Sequence, residues 1–137
     1  MSEQSRAFVT HTGLRIIVRP AEPEDGAILD TLFHHVAPED LRFRFLTGLN
    51  EVRPAQIDAM IHVDPKTAES FIAFREDGKT PLATAMLACD PAGARGEVAI
   101  SVHSEFKKQG IGWQLLSFMA DEAKRRGVKV IEFDRKP

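Results

Sequence analysis

Short apolar runs bounded by turn residues, and stretches whose apolar positions recur every three or four residues, set out the elements of this chain. Residues 7–10 read as a short strand. Thr12 and Gly13 turn the chain into residues 14–19, where β-branched side chains favour a second strand that Pro20 ends. Pro23 opens a helix where its missing N–H costs nothing, and Glu24 and Asp25 suit the positive end of the helix dipole. Ala27, Ile28, Leu32 and Val36 give that helix one inward stripe, and Pro38 ends it or starts the next. Leu41, Phe43, Phe45 and Leu46, interleaved with Arg42 and Arg44, read as a short helix and a loop. Pro54 starts another helix with Ile57, Met60 and Ile61 inward, and Val63-Asp64-Pro65 breaks it.

Three strands follow as a meander, over residues 70–75, 81–88 and 96–103. Asp77-Gly78 and Pro91-Ala92-Gly93 supply the turns between them. A helix runs from Ile111 to about Arg126, with Ile111, Leu115, Leu116, Met119 and Ala123 on one face and Gln114, Asp121, Lys124 and Arg125 elsewhere. Trp113 and Phe118 read as packing aromatics. Gly127 stops the helix, and residues 128–133 form the last strand. Strand, helix and strand make a βαβ unit, the crossover that parallel pairing requires. The expected fold is therefore α/β (α+β): a central mixed, mostly antiparallel sheet with one βαβ unit.

Composition narrows the picture. A chain of 137 residues is enough for one domain and not two, so residues 1–137 are expected to form a single domain, with 1–12 an N-terminal arm or short strand. The formal net charge of −2 predicts no global attraction to nucleic acid or acidic lipid. Cys89 is the only cysteine, so no internal disulfide is expected, which fits a reducing cytoplasm. No apolar run reaches the ~18 residues of a membrane span. Arg6 is not followed by the hydrophobic region of a signal peptide. The expectation is a cytoplasmic protein with no nucleic-acid or membrane partner.

The most specific chemistry lies in the loop of residues 104–112. Gly110 and Gly112 carry no Cβ, so the backbone there can turn sharply and approach a ligand closely. The loop opens a helix whose first amides lack carbonyl partners, an anion site suited to phosphate, and Lys107 and Lys108 add positive charge beside it. A plain glycine turn before a surface helix is the competing explanation.

Lys107-Lys108-Gln109-Gly110-Ile111-Gly112 resembles the acyl-CoA loop of the GNAT superfamily of N-acyltransferases. That loop usually reads Arg or Gln, two variable residues, Gly, one variable residue, then Gly or Ala; Lys107 departs from it at the first position. Residues 14–20, followed by Pro23-Glu24-Asp25, are similar to the family's first strand and helix. Residues 38–45 resemble the subgroup found with acyl-CoA synthetase modules in bacterial protein-lysine acetyltransferases. The similarity covers roughly residues 14–133.

The resemblance implies acetyl-CoA as cosubstrate and no metal. Its diphosphate would lie on Lys107, Lys108, Gln109, Gly110, Ile111, Gly112 and Trp113. Its pantetheine arm would run along the strand on backbone bonds from about Ile100 through Ser101 to Val102. A backbone N–H near residues 98–100 would polarise the thioester carbonyl. An amine acceptor must first lose its charge, and a free lysine has a pKa of about 10.4, so a base is useful. Glu97 is similar in position to the family's glutamate base; a solvated strand-end glutamate is the plain alternative. Family members continue into another helix and two strands, and that helix commonly carries a tyrosine acid. This sequence stops at Pro137 and holds no tyrosine. Either a homodimer completes the open side, or the fold is open. Two functions therefore stay in play: an N-acetyltransferase acting on a primary amine, small molecule or protein lysine, and a non-catalytic acyl-CoA-binding regulatory domain.

Other motifs are weaker. Gly78-Lys79-Thr80 suggests a nucleotide-binding P-loop, but Ala73 stands where that motif needs glycine. A dinucleotide site would use Glu132 for the ribose, but Leu115 occupies its third glycine position. His11, His34, His35, His62 and His103 lack metal-ligand spacing. His103 reads as a satisfied or solvated histidine, Cys89 as a small buried hydrophobe, and Arg42 and Arg44 as surface charge.

Overall fold

The structure, a computed structural model, describes residues 5–36 and 61–133. Six strands form one sheet in chain order: β1 (Arg6–Val9), β2 (Arg15–Pro20), β3 (Ala68–Arg75), β4 (Pro81–Cys89), β5 (Arg95–Val102) and β6 (Val130–Phe133). Every neighbouring pair is antiparallel except β5 and β6, which run parallel across the helical crossover. Helix α1 (Gly26–Phe33) follows β2, and helix α2 (Ile111–Arg125) joins β5 to β6. The meander and the βαβ unit stand as the sequence predicts. The Pro38 to Leu46 stretch, with Arg42 and Arg44, and the Pro54 helix with Ile57 and Met60 lie outside the described residues.

Local chemistry explains the turns. Asp77 Oδ1 accepts the amides of Lys79 at 2.7 Å and Thr80 at 3.0 Å, and Oδ2 accepts the Thr80 hydroxyl at 2.9 Å. Gly78 supplies a φ of 72° in that hairpin. Gly78-Lys79-Thr80 is thus a hairpin turn and not a phosphate loop. At the next turn Asp90 Oδ1 accepts the Ala94 amide at 3.0 Å.

The sheet is covered on both faces. Ile16, Val18, Phe71, Ala83, Ala85 and Val98 pack under Leu115, Phe118 and Met119 of α2. Ile72, Phe74, Met86 and Ala99 pack on the other face under Leu29, Leu32 and Phe33 of α1. Each fully buried Val, Leu, Ile, Phe or Met among them contributes about 1.5–3 kcal/mol. Burial on both sides is why β3 and β4 read as continuous apolar runs rather than as alternating ones. Phe118 sits edge-on to Phe71 at 4.9 Å and to Phe8 at 5.6 Å. At the far end of α2, Arg126 donates to Glu69 Oε2 at 2.9 Å and to the carbonyls of Pro65 and Lys66, tying the helix to the start of β3.

Four details differ from the sequence expectation. Trp113 is 68% exposed and does not pack in the core. Leu116 and Cys89 are half-buried rather than buried. β6 begins at Val130, because Val128 N–H still bonds the Ala123 carbonyl of α2 at 3.0 Å. The inward stripe of α1 is Leu29, Leu32, Phe33 and Val36, while Ala27 is exposed.

The cause of the last shift is Asp25. It is 3% exposed and takes a two-pronged ion pair from Arg19, at 2.7 and 2.8 Å, as well as the Glu22 amide at 2.6 Å. This anchor closes a short 3-10 turn (Pro23–Asp25) and sets the rotation of α1, so the positions four, seven and eight residues on face inward. Burial pushes the Asp25 carboxyl up, but the Arg19 hydrogen bond and the Glu22 amide outweigh it and hold it below its ordinary value.

Asp25→Ala is expected to cost about 3–5 kcal/mol, since it leaves Arg19 desolvated without a partner. Because the folded pKa is depressed, the contribution is complete above the ordinary carboxylate value near 4 and is lost as pH falls through the folded value. Urea midpoints of the two proteins should therefore converge in acid.

Candidate functional site

The site grows from one strand that is paired unequally. On one side β5 bonds β4 along residues 96–102. On the other it bonds β6 only along residues 95–98, with Val98 opposite Phe133 as the last pair among the described residues. Ile100, Ser101 and Val102 lie beyond that point. Ile100 and Val102 lean on the α2-side core, and Ser101 is 1% exposed on the opposite face. Any contact of these residues with a ligand at the β6-side edge is therefore a main-chain contact.

Glu97 lies on this strand, opposite Glu132. Val98 packs beneath α2 and Ala99 beneath α1, so alternation puts Glu97 on the α1 face with Ala99 and Ser101. Glu97 is half-buried, opposite Ala88 of β4 and Glu132 of β6. Glu132 is engaged by Arg95 at 2.7 Å, which neutralises the neighbouring carboxylate. Across from Ser101 stands Thr84, whose buried hydroxyl has no hydrogen-bond partner among the described residues.

After β5 the chain makes a one-turn 3-10 helix (Ser104–Phe106) capped by His103, whose Nδ1 accepts the Glu105 amide at 3.1 Å. His103 is buried, stacks on His35 at the end of α1 with ring centroids 4.6 Å apart, and meets Phe106 edge-on. Burial pushes the imidazole pKa down, and His35 adds to this; Glu105 opposes it. The ring is thus neutral near pH 7, with its proton on Nε2. His103 is a satisfied histidine that shapes the entry to the loop.

Lys107 and Lys108 are exposed, and Lys108 adopts a left-handed φ of 67°. Gly110 is the N-cap of α2 with φ 85°, and as a glycine it brings no side chain of its own to cap the helix. The first intrahelical bond runs from Gln114 N–H to Gly110 O at 3.0 Å, leaving the amides of Ile111, Gly112 and Trp113 outside the helical ladder. Ile111 is 1% exposed and buries its side chain in the core. Gly112 is different from Gly110: it has a helical φ, and a Cβ built on it would meet nothing within 4 Å. Its missing side chain leaves open space beside those amides. The loop can thus accept an anion on main-chain donors with positive charge close by.

The Acetyltransferase (GNAT) family model matches residues 33–136. The chain belongs to the GNAT acetyltransferase family. A curated acetyltransferase of Pseudomonas aeruginosa is 26% identical over 120 residues, covering 85% of this chain, and the chain spans 64% of that relative's length. The GNAT domain of S. lividans PAT superposes with a TM-score of 0.78 at 21% identity, covering 93% of this chain and 76% of that one. A cAMP-binding acyltransferase from Mycobacterium smegmatis gives a TM-score of 0.60 at 19% identity, covering 91% of this chain and 37% of that one. At these identities the two structures show the shared fold. GNAT proteins use an acyl-CoA and an acceptor, and the mixed sheet with its βαβ unit is the GNAT fold. No group of three or more His, Cys, Asp or Glu residues among the described residues could hold a metal ion.

The structure brings the loop residues Lys107 to Trp113 to one helix mouth and puts Glu97 on the strand that feeds it. Sequence reasoning read the turn between β1 and β2 but missed its contact with the loop. Thr12 donates its hydroxyl to Gln109 O at 2.6 Å, and the His11 ring lies where a Gly110 Cβ would go. Only the turn residues Thr12-Gly13 are visible in the sequence, and they say nothing about a partner 97 residues away.

Gly112→Ala should leave the fold intact and raise stability by roughly 0.5–1 kcal/mol, since the helical position is unstrained. Gly112→Leu should fold equally well yet lose coenzyme A binding in calorimetry. For His103, the depressed folded pKa means its share of stability is complete above about 6.5 and is lost as pH falls through the lower folded value. His103→Asn should flatten the pH dependence of the urea midpoint between about pH 5 and 7.

Proposed function

We propose that this GNAT protein is an N-acetyltransferase that moves an acetyl group from acetyl-CoA to a primary amine, carried by a small molecule or by a protein lysine. The observation that carries the proposal is the mouth of α2, whose N-cap Gly110 brings no capping side chain and which is open beside Gly112, directly after strand β5. In this proposal the diphosphate is held by the amides of residues 110–113 with Lys107 and Lys108 nearby. The pantetheine arm takes main-chain bonds along Ile100, Ser101 and Val102.

Glu97 takes the role of base. It receives a proton from the ammonium, directly or through water, and the free amine attacks the thioester carbonyl carbon. The new C–N bond forms, its nitrogen gives its extra proton to water, the C–S bond breaks, and coenzyme A leaves as a thiolate. The sequence holds no tyrosine to protonate it. A thiol of pKa about 8.5 is a good leaving group near neutral pH, and water can return the proton. Glu97, half-buried on the α1 face of β5, supports acceptor entry from that side.

Thiol release from acetyl-CoA with a mixed panel of primary amines tests the proposal. Turnover with at least one amine is expected, and Glu97→Gln should lower kcat by about 10²–10⁴-fold with acetyl-CoA binding retained. Tight coenzyme A binding with no release on any amine would favour a regulatory acyl-CoA-binding domain instead.

A further inference from the structure

The loop that opens α2 is held by the turn between β1 and β2. Thr12 Oγ1 donates to Gln109 O at 2.6 Å, so its one proton is committed. The 2.9 Å contact between the Thr10 and Thr12 hydroxyls must then run from Thr10 to Thr12. Thr10 Oγ1 in turn accepts the Leu14 amide at 3.2 Å, and Thr10 is 3% exposed. The result is a chain of hydrogen bonds with one direction: Leu14 N–H, Thr10 O–H, Thr12 O–H, Gln109 carbonyl. It starts inside a hairpin closed by backbone bonds of 2.8 and 2.9 Å between Thr10 and Leu14 and between Gly13 and Thr10.

A second contact supports the first. The side-chain position that Gly110 lacks is filled by the turn: a Cβ there would come within 2.7 Å of His11 Nδ1 and 3.1 Å of Thr10 Cβ. The turn thus packs against the α-carbon of Gly110 and holds the carbonyl one residue earlier. A trans peptide is planar, with its C=O and N–H on opposite sides. Fixing Gln109 O toward Thr12 therefore turns the Gly110 N–H away from the hairpin. No backbone acceptor for that amide is found among the described residues.

We propose that Thr12 is a positioning residue for the acyl-CoA diphosphate: by holding Gln109 O it presents the Gly110 amide to the anion. This rests on the acyl-CoA role given to the loop above. The N-terminal hairpin is then part of the binding apparatus, not only the edge of the sheet. Thr12 itself touches no substrate.

The test compares coenzyme A with pantetheine, which lacks the diphosphate, by calorimetric titration of the wild-type chain, Thr12→Val and Thr12→Ser. Thr12 is exposed, so the melting temperature of all three should agree. Thr12→Val should bind coenzyme A about three- to tenfold more weakly, the share of one hydrogen bond, with pantetheine binding unchanged and Thr12→Ser restored. Unchanged coenzyme A binding by Thr12→Val, or an equal loss on pantetheine, would overturn the role of Thr12 while leaving the loop's function standing. Wild-type protein that binds coenzyme A no better than pantetheine would overturn the diphosphate role of the loop, and this inference with it.

Discussion

A strand bonded on both edges along its whole length has no main-chain groups left for a ligand. In this protein β5 keeps β4 along residues 96–102 but shares only residues 95–98 with β6 among the described residues. Among those residues a main-chain contact on the β6 side falls to Ile100, Ser101 and Val102, and Glu97 lies on the same strand. The strand then leads through the His103 turn into the mouth of α2. The Val128 bond to Ala123 sets where β6 begins, opposite Arg95.

The helix that carries the loop is fastened at both ends by parts of the chain distant in sequence. The hairpin turn holds its entry through Gln109, and Glu69 with two carbonyls before it holds its exit through Arg126. Between these ties, Leu115, Phe118 and Met119 settle on a bed that includes Ala83 and Ala85. Small side chains at the middle of β4 let the helix lie close to the sheet. A dipole and a row of amides are useful only when their direction is fixed, and these contacts supply that direction.

What the sequence made legible was local. Asp77-Gly78, Gly127 and the glycines of the loop announce turns because their conformational requirements are met within a few residues. The long apolar runs of β3 and β4 announce strands buried on both faces, and the period of α2 announces its inward stripe. The features it hid depend on distant partners. Asp25 has the signature of a dipole residue, and only the reach of Arg19 makes it a buried anchor that rotates α1. Trp113 has the composition of a core residue, but its place in the first turn of α2 points it to solvent. His103 lies at a strand end, and its capping bond to Glu105 appears only once the chain bends there. Thr12 and Gln109 meet through sheet order alone.

Covering both faces of β3 and β4 also limits how this domain can diversify. No position in the centre of the sheet faces water, so a change there is tested first against packing and only afterwards against chemistry. Lineages that take up new acceptors would have to do so at the rims, where strands end and turns begin. The interior would drift slowly while the periphery varied, and preference for one amine over another would record the history of the margins.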